Sequence, residues 1–275
     1  MLQRFVFVRH IWFLTLLSGS LLFLLTEKVM LYTDNPNYFP TVIMLGSFLV
    51  PVVFVTFVYE RKHSVTVPPT LVAVTFLWGG AVGVVVAGFL EYEAVRDLSA
   101  MPLLAIGLIE EGAKLIVPLA IFLSTRYRRE AEGLVLGAAA GMGFAALETM
   151  GYGFVALIKS QGSVGVLEDT LIIRGFLAPV GHGAWTAAVC GILWRERELG
   201  RSFPVAALNV LAAFALIVSL HAAWDGLAGI RTSTQVEFAG VEGSTLVVAA
   251  VSLLFFVHRM REVKSLAAVE QPKAL

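Results

Sequence analysis

Residues 101–123 read MPLLAIGLIEEGAKLIVPLAIFL, an apolar stretch long enough to cross a bilayer that nevertheless carries two glutamates and a lysine near its middle. The hydrocarbon core of a membrane needs about 20 predominantly apolar residues per helix. An ionisable side chain at that depth is unfavourable unless it is paired or hydrated, so it indicates function by default. This stretch therefore predicts a membrane-spanning helix with a polar site inside the membrane.

The rest of the chain has the same apolar character. Its 275 residues are 58% hydrophobic and 15% charged, which is too apolar for an ordinary soluble domain. We predict an all-α polytopic membrane protein with about eight transmembrane helices, forming one domain over residues 1–264 with a tail at 265–275. Besides 101–123, the predicted spans lie near residues 11–31, 39–59, 69–90, 133–158, 170–193, 204–230 and 244–257.

The charge of the connecting segments predicts the orientation of the chain. Lys and Arg concentrate at the N-terminus, in every second connecting segment and in the C-terminal tail, whereas the other segments carry only Arg96, Lys159 and Arg231. Because positively charged loops stay on the cytoplasmic side, both termini are predicted to be cytoplasmic. A formal net charge of zero leaves no electrostatic footprint for nucleic acid, which is therefore not expected as a partner.

Four of the predicted helices carry ionisable side chains at a similar depth. At about 1.5 Å per residue from the outer end of each span, Glu110 and His221 lie about 14 Å deep, Glu148 about 15 Å and His182 about 18 Å. A single buried histidine is more often a hydrogen-bonded core residue. Two histidines with three glutamates at one level instead favour a functional site inside the membrane.

The spacing of these residues predicts particular pairs. Glu110 and Lys114 share a helix face at i, i+4, so the ammonium can neutralise one carboxylate, while Glu111 points about a quarter turn away and is expected to lack such a partner. A purely structural Glu110–Lys114 pair is the alternative interpretation. His221 and Asp225 are also four apart, which suits either a joint metal site or a histidine oriented by a carboxylate.

Small residues and a proline predict how the helices pack. Gly133, Gly137 and Gly141 recur at every fourth position and predict a close approach by a neighbouring helix. Pro179 removes one backbone hydrogen bond and predicts a kink just before His182.

Two other residues within the spans are interpreted as structural. Arg174 lies near the outer end of its predicted helix, where it either reaches the membrane interface or pairs with Asp225. Cys190 has the apolar surroundings TAAVCGIL and is assigned to packing.

The motifs taken together resemble those of one protease family. They are Glu-Glu-x-x-Lys at 110–114, Phe-x-x-x-Glu at 144–148, His182 after an Arg-containing stretch, and His-x-x-x-Asp at 221–225. This order resembles the PrsW family of membrane peptidases, which is related to the type II CAAX-processing proteases. The resemblance runs from about residue 100 to about residue 230. Thr149 departs from it, because family members often have Asn after the third glutamate.

The resemblance implies hydrolysis of a peptide bond in a membrane-anchored protein, as in the first cleavage of a single-span anti-sigma factor. It places the paired glutamates on Glu110 and Glu111, the third glutamate on Glu148, and the histidines on His182 and His221. It further implies a multi-pass protein of a prokaryotic cell membrane. The expected partners are the lipid bilayer and a single-span membrane protein substrate.

The resulting hypothesis for the site involves a metal ion. Glu148, His182 and His221 hold a divalent metal, with zinc preferred, and Asp225 completes or orients the metal site. The chain has no HExxH helix, and these ligands are spread over three spans. A metal-free mechanism therefore stays open, in which Glu and His activate water and the second His stabilises the oxyanion.

The general base is expected to be one of the paired glutamates. Glu110 is preferred over Glu111, and Lys114 is expected to tune that carboxylate. Two other classes of protein remain as alternatives, namely a proton-coupled transporter and a noncatalytic scaffold with a peptidase fold. The transporter is disfavoured because the polar residues all fall in predicted helices four to seven, without two equivalent halves.

Overall fold

The computed structural model describes residues 10–61, 66–98, 102–124, 126–229, 237–238 and 241–269. Apart from a short antiparallel pair of two-residue strands, the regular elements in these ranges are helical, which confirms the all-α prediction. The α-helices are α1 (Ile11–Thr33), α2 (Phe39–Glu60), α3 (Pro69–Leu98), α4 (Leu103–Lys114), α5 (Ile116–Leu123), α6 (Glu130–Lys159), α7 (Val164–Leu177), α8 (Ala184–Glu198), α9 (Phe203–Gly229) and α10 (Gly243–Val269). The remaining elements are a 3₁₀ helix (Pro36–Tyr38), a π-helical turn (Pro179–Gly183), β1 (Glu237–Phe238) and β2 (Val241–Glu242).

The membrane-spanning potential of the helices follows from their length and apolar composition, because a helix satisfies all its backbone polar groups internally. Within the described ranges, six helices are long and apolar enough to cross a membrane. They are Ile11–Thr33, Pro36–Glu60, Pro69–Ala94, Glu130–Lys159, Val164–Glu198 and Phe203–Leu227. The multi-pass prediction is thus supported by six helices, while the count of eight and the cytoplasmic location of the termini stay predictions.

The predicted span 101–123 is divided into two shorter helices. Pro118 has no backbone N–H, and its ring would clash with the carbonyl group four residues earlier, that of Lys114. Accordingly α4 ends at Lys114, and the N–H of Leu115 donates to Gly112 over 3.2 Å in a tighter i to i−3 turn. The break places Lys114 at the end of a helix, beside the other polar residues.

α6 is the central helix of the fold. Of its apolar window 83% is buried, compared with 6% for α1, which lies at the periphery. A methyl group at Gly137 would lie 2.5 Å from the carbonyl oxygen of Thr186, and one at Gly133 would lie 2.6 Å from that of Cys190. The close approach predicted from the glycine spacing is therefore confirmed, and the neighbour is α8.

The α6–α8 contact leads to a first testable prediction. Gly137→Ala is expected to lower the free energy of unfolding by about 1–3 kcal/mol, because the added methyl group would overlap the α8 backbone. Gly151→Ala is the matched control on the same helix, because a methyl group there meets nothing within 4 Å. Unfolding of both variants in detergent measures the difference. Equal stability would show that α6 and α8 do not pack as described.

The kink predicted at Pro179 is present. α7 ends at Leu177, and the chain then forms the π-helical turn in which Gly181 has non-helical angles, with φ −97° and ψ −109°. π-turns inside helices occur often at functional sites. His182 lies within this turn, so the irregular backbone determines where its imidazole is presented.

Candidate active site

The structure brings the predicted site residues together from four parts of the chain. The helix α4 contributes two glutamates and a lysine, α6 a third glutamate, the π-helical turn a histidine, and α9 a histidine with an aspartate four residues later. These side chains are connected by contacts of 3.7 Å or less. We call them the polar cluster, consisting of Glu110, Glu111, Lys114, Glu148, His182, His221 and Asp225.

Lys114 is at the centre of the polar cluster and is fully buried. Its Nζ lies 3.0 Å from Oε2 of Glu110, 2.8 Å from Oε1 of Glu111 and 2.8 Å from Nδ1 of His182. The predicted Glu110–Lys114 pair is therefore present. The expectation that Glu111 lacks a cation was wrong, because the flexible lysine side chain also reaches the residue three positions earlier.

His221 is held on both sides by carboxylates. Its Nδ1 lies 2.8 Å from Oε1 of Glu111, while its Nε2 lies 3.4 Å from Asp225 and 3.7 Å from Glu110. The predicted His221–Asp225 contact is thus present, although the shorter contact is with Glu111. A carboxylate on one ring nitrogen sets the tautomer and orientation of the imidazole.

Glu148 joins His182 to an arginine that the sequence analysis had treated as structural. Its Oε2 lies 3.2 Å from Nε2 of His182 and 2.8 Å from Nη2 of Arg174. The proposed pairing of Arg174 with Asp225 was therefore wrong, because the carboxylate in reach is the one on the adjacent helix α6. The signal in the sequence was a lone arginine inside the apolar stretch LIIRGFL.

An aromatic residue missed by the sequence analysis packs against both histidines, whose own rings lie 5.6 Å apart. The ring of Trp185 lies 5.8 Å from that of His182 and 5.2 Å from that of His221. Its Nε1–H donates to Oγ of Ser252 over 2.8 Å, which ties the histidines to α10. Its position three residues after His182, about one helical turn, was the available signal.

Comparison with known proteins identifies the family. The sequence model of the PrsW family of intramembrane metalloproteases matches residues 67–257, a range that includes the whole polar cluster. The chain belongs to the PrsW family. It is accordingly a membrane protease, which argues against the transporter considered from the sequence. No curated protein and no solved structure shows a significant match to the chain.

Membership of the PrsW family implies a metal ion, and the donor atoms of the polar cluster fit one. Glu110, His182 and His221 each offer a ligand atom, and these atoms lie within 4.8 Å of one another. Among the described residues this is the set of three with such spacing. Two imidazole nitrogens and a carboxylate oxygen suit zinc or a similar divalent ion. Glu148, the oxygen ligand of the sequence-based hypothesis, is not in this set.

Lys114 is the feature of this PrsW-family site that a metal ion would have to accommodate. A protonated lysine can only donate hydrogen bonds, so its contact makes Nδ1 of His182 an acceptor. A neutral His182 then carries its ring hydrogen on Nε2, which faces Glu148. In this tautomer Nδ1 of His182 accepts from Lys114 and Nε2 carries the hydrogen, so the ring has no free lone pair for a metal.

Proposed function

We propose that this PrsW-family protease cleaves a peptide bond of a single-span membrane protein within the bilayer. The observation that carries the proposal is the polar cluster itself, which places carboxylates, imidazoles and an ammonium among apolar helices. Such groups are retained inside a membrane where they perform chemistry. An anti-sigma factor in a prokaryotic cell membrane is the substrate that the family resemblance favours, with both termini of the protease in the cytoplasm.

The spacing of the ligand atoms supports a metal-dependent mechanism. We propose that Glu110, His182 and His221 hold a divalent ion, with zinc preferred. When bound, such an ion polarises the scissile carbonyl and makes a coordinated water acidic. Glu148 contacts His182, so with a metal bound it would be the carboxylate that accepts a proton from the attacking water. This assignment exchanges the roles that the sequence analysis gave to Glu110 and Glu148.

The remaining members of the polar cluster keep the reactive groups in position. Glu111 is 2% exposed and contacts Nδ1 of His221, so it orients that ring from behind the site. Asp225 lies 3.4 Å from Nε2 of the same ring and so helps to orient it from the opposite side. Lys114 allows Glu110 and Glu111 to be ionised side by side, because its ammonium contacts both.

A metal-free mechanism is the second candidate, and the contact between Lys114 and Nδ1 of His182 favours it. In this mechanism Glu110 removes the proton from the attacking water and later returns it to the leaving amine. His221, oriented by Glu111, stabilises the oxyanion. Glu110 is essential in both mechanisms, whereas a metal ion is essential in one.

Cleavage by purified protein in detergent tests the proposal. The substrates are a panel of tagged single-span membrane proteins, including an anti-sigma factor. We expect cleavage by the wild type and a loss of about 10²-fold or more for His182→Ala. His258→Ala is the matched control, because that side chain is 66% exposed and its ion-pair contact is with Glu262, 3.7 Å away and outside the polar cluster.

The same experiment measures whether cleavage requires a metal ion. With a metal-dependent mechanism, a strong zinc chelator stops cleavage, and elemental analysis finds a bound metal in the wild type that His182→Ala lacks. Cleavage that survives chelation but not His182→Ala would instead support the metal-free mechanism. Cleavage unaffected by His182→Ala would exclude the polar cluster as the active site.

A further inference from the structure

Hydrolysis inside a membrane makes a demand on the enzyme that the polar cluster alone does not meet. A transmembrane substrate is helical, and its peptide bonds become accessible only where the helix unwinds. Each unwound residue then has an N–H and a C=O without an internal partner, which is strongly unfavourable away from water. The protease must therefore offer hydrogen-bonding groups that are not already engaged.

Two buried side-chain atoms beside the polar cluster meet this demand. Nε of Arg174 and Oε1 of Glu91 are buried and have no hydrogen-bond partner among the residues that the structure describes. One is a donor and the other an acceptor. Buried polar atoms are almost always satisfied, so an unsatisfied pair beside an active site points to a ligand that satisfies them.

Two contacts hold the guanidinium of Arg174 in place, whereas its Nε–H has no hydrogen-bond partner among the described residues. Its Nη2 contacts Oε2 of Glu148 at 2.8 Å, and its guanidinium lies 3.8 Å from the ring centroid of Tyr152. These two contacts hold the planar group in place. Its Nε–H is a positioned donor next to Glu148, which itself contacts His182.

Glu91 is placed beside the polar cluster by the face of α3 on which it lies. Gly83, Ala87 and Glu91 are four residues apart and so share that face. A methyl group at Gly83 would lie 3.8 Å from Cα of Lys114, and Ala87 packs against Phe144. One further turn places Glu91 at the edge of the same layer.

The charges around Glu91 agree with this position. Its carboxylate interacts electrostatically with Glu110, Glu148, Lys114 and His221. Each of these four groups has a polar partner of its own within the polar cluster. Glu91 therefore provides an acceptor just outside the polar cluster that remains available to a substrate.

We propose that Glu91 and Arg174 bind the unwound backbone of the substrate, with Oε1 of Glu91 accepting a peptide N–H and Nε–H of Arg174 donating to a peptide C=O. This inference rests on the proposed function and adds two substrate-positioning residues to it. Contacts to the backbone do not depend on side chains. Substrate choice is then governed by how readily a helix unwinds, which favours Gly, Pro or polar residues near the cleaved bond.

A synthetic single-span peptide tests the proposal. The probe is a fluorescent Leu/Ala transmembrane peptide with a central Gly-Ser-Gly. It is made in two forms, one with amide bonds throughout and one in which a central amide is replaced by an ester. The ester removes one backbone N–H. Binding in detergent is measured to protein carrying Glu110→Gln, so that hydrolysis does not interfere. Glu91→Leu is compared in this background with Glu93→Leu, the same change two residues along α3.

One ester position is expected to weaken binding about tenfold, the effect of losing a hydrogen bond to a charged group. Glu91→Leu is expected to weaken binding of the all-amide peptide by a similar factor and to remove the ester effect. Glu91→Gln, whose amide oxygen still accepts, restores most of the affinity, and Glu93→Leu leaves the ester effect intact. Arg174→Lys keeps a cation for Glu148 but lacks Nε–H, and is expected to weaken binding about tenfold.

Several results would overturn the inference. They are no binding of the peptide, no ester position that affects it, or an ester effect that persists fully in Glu91→Leu. Unchanged binding to Arg174→Lys would overturn the donor half. The proposed function is judged separately. If Glu91→Leu removes the ester effect in the Glu110→Gln background but the wild type cleaves nothing, only the protease assignment is contradicted. If the wild type cleaves its substrate but Glu91→Leu leaves the ester effect unchanged, only the inference is contradicted.

Discussion

Replacing Glu110 by glutamine is expected to reduce kcat/KM for cleavage by about 10²–10⁴-fold, the range for removing an acid–base group. Glu110 lies within 4.8 Å of the ligand-type nitrogens of both His182 and His221. As a metal ligand or as the base, it needs a carboxylate, and glutamine has nearly the same shape without the charge. The loss is therefore chemical, and the variant is expected to fold.

The control for this prediction is Glu93→Gln, which removes a carboxylate of α3 that is not a member of the polar cluster. Cleavage of one substrate by both variants is compared with the wild type, together with their unfolding in detergent. A Glu110→Gln protein that cleaves at a tenth of the wild-type rate or faster would show that this carboxylate is not part of the chemistry. A variant that does not fold would be replaced by Glu110→Asp, for which a smaller loss of the same kind is expected.

The second large effect is expected for Lys114→Met, which should lower the free energy of unfolding by about 3–5 kcal/mol, because breaking a buried ion pair leaves uncompensated charge. Lys114 is fully buried and contacts Glu110, Glu111 and His182. Without the ammonium, two carboxylates face each other in an apolar environment. Methionine fills a similar volume, so the loss comes from charge and not from a cavity.

Unfolding in detergent measures this loss against Lys159→Met, an exposed lysine at the end of α6 whose replacement should change stability by less than about 0.5 kcal/mol. Adding Glu111→Gln to Lys114→Met removes one of the two carboxylates and is expected to restore part of the stability. Equal stability of the Lys114 and Lys159 variants would mean that the ammonium does not neutralise the paired glutamates.

The polar cluster was predicted residue by residue, yet several of its contacts were not. Depth along the helices correctly placed Glu110, Glu148, His182 and His221 in one layer, because helical rise is nearly constant. The pairs within one helix, such as His221 with Asp225, followed from the i, i+4 rule. The pairing of Arg174 with Glu148 was missed, since it depends on the packing of one helix against another.

The sequence by itself determined that the chain folds as apolar helices with a polar layer inside them. This was possible because a bilayer forces each spanning segment to satisfy its own backbone, so length, hydropathy and residue spacing are sufficient. The close approach at the glycine stripe of α6 and the kink at Pro179 were determined in the same local way.

The tertiary structure alone decided which side chain meets which across the helices. Lys114 and His182 are 68 positions apart, and Arg174 and Glu91 lie on different helices. Long side chains can reach several partners, and the choice depends on helix rotation and separation, which the close-packed interior sets as a whole. The unsatisfied atoms of Arg174 and Glu91 are consequences of that packing, which no spacing along the chain encodes.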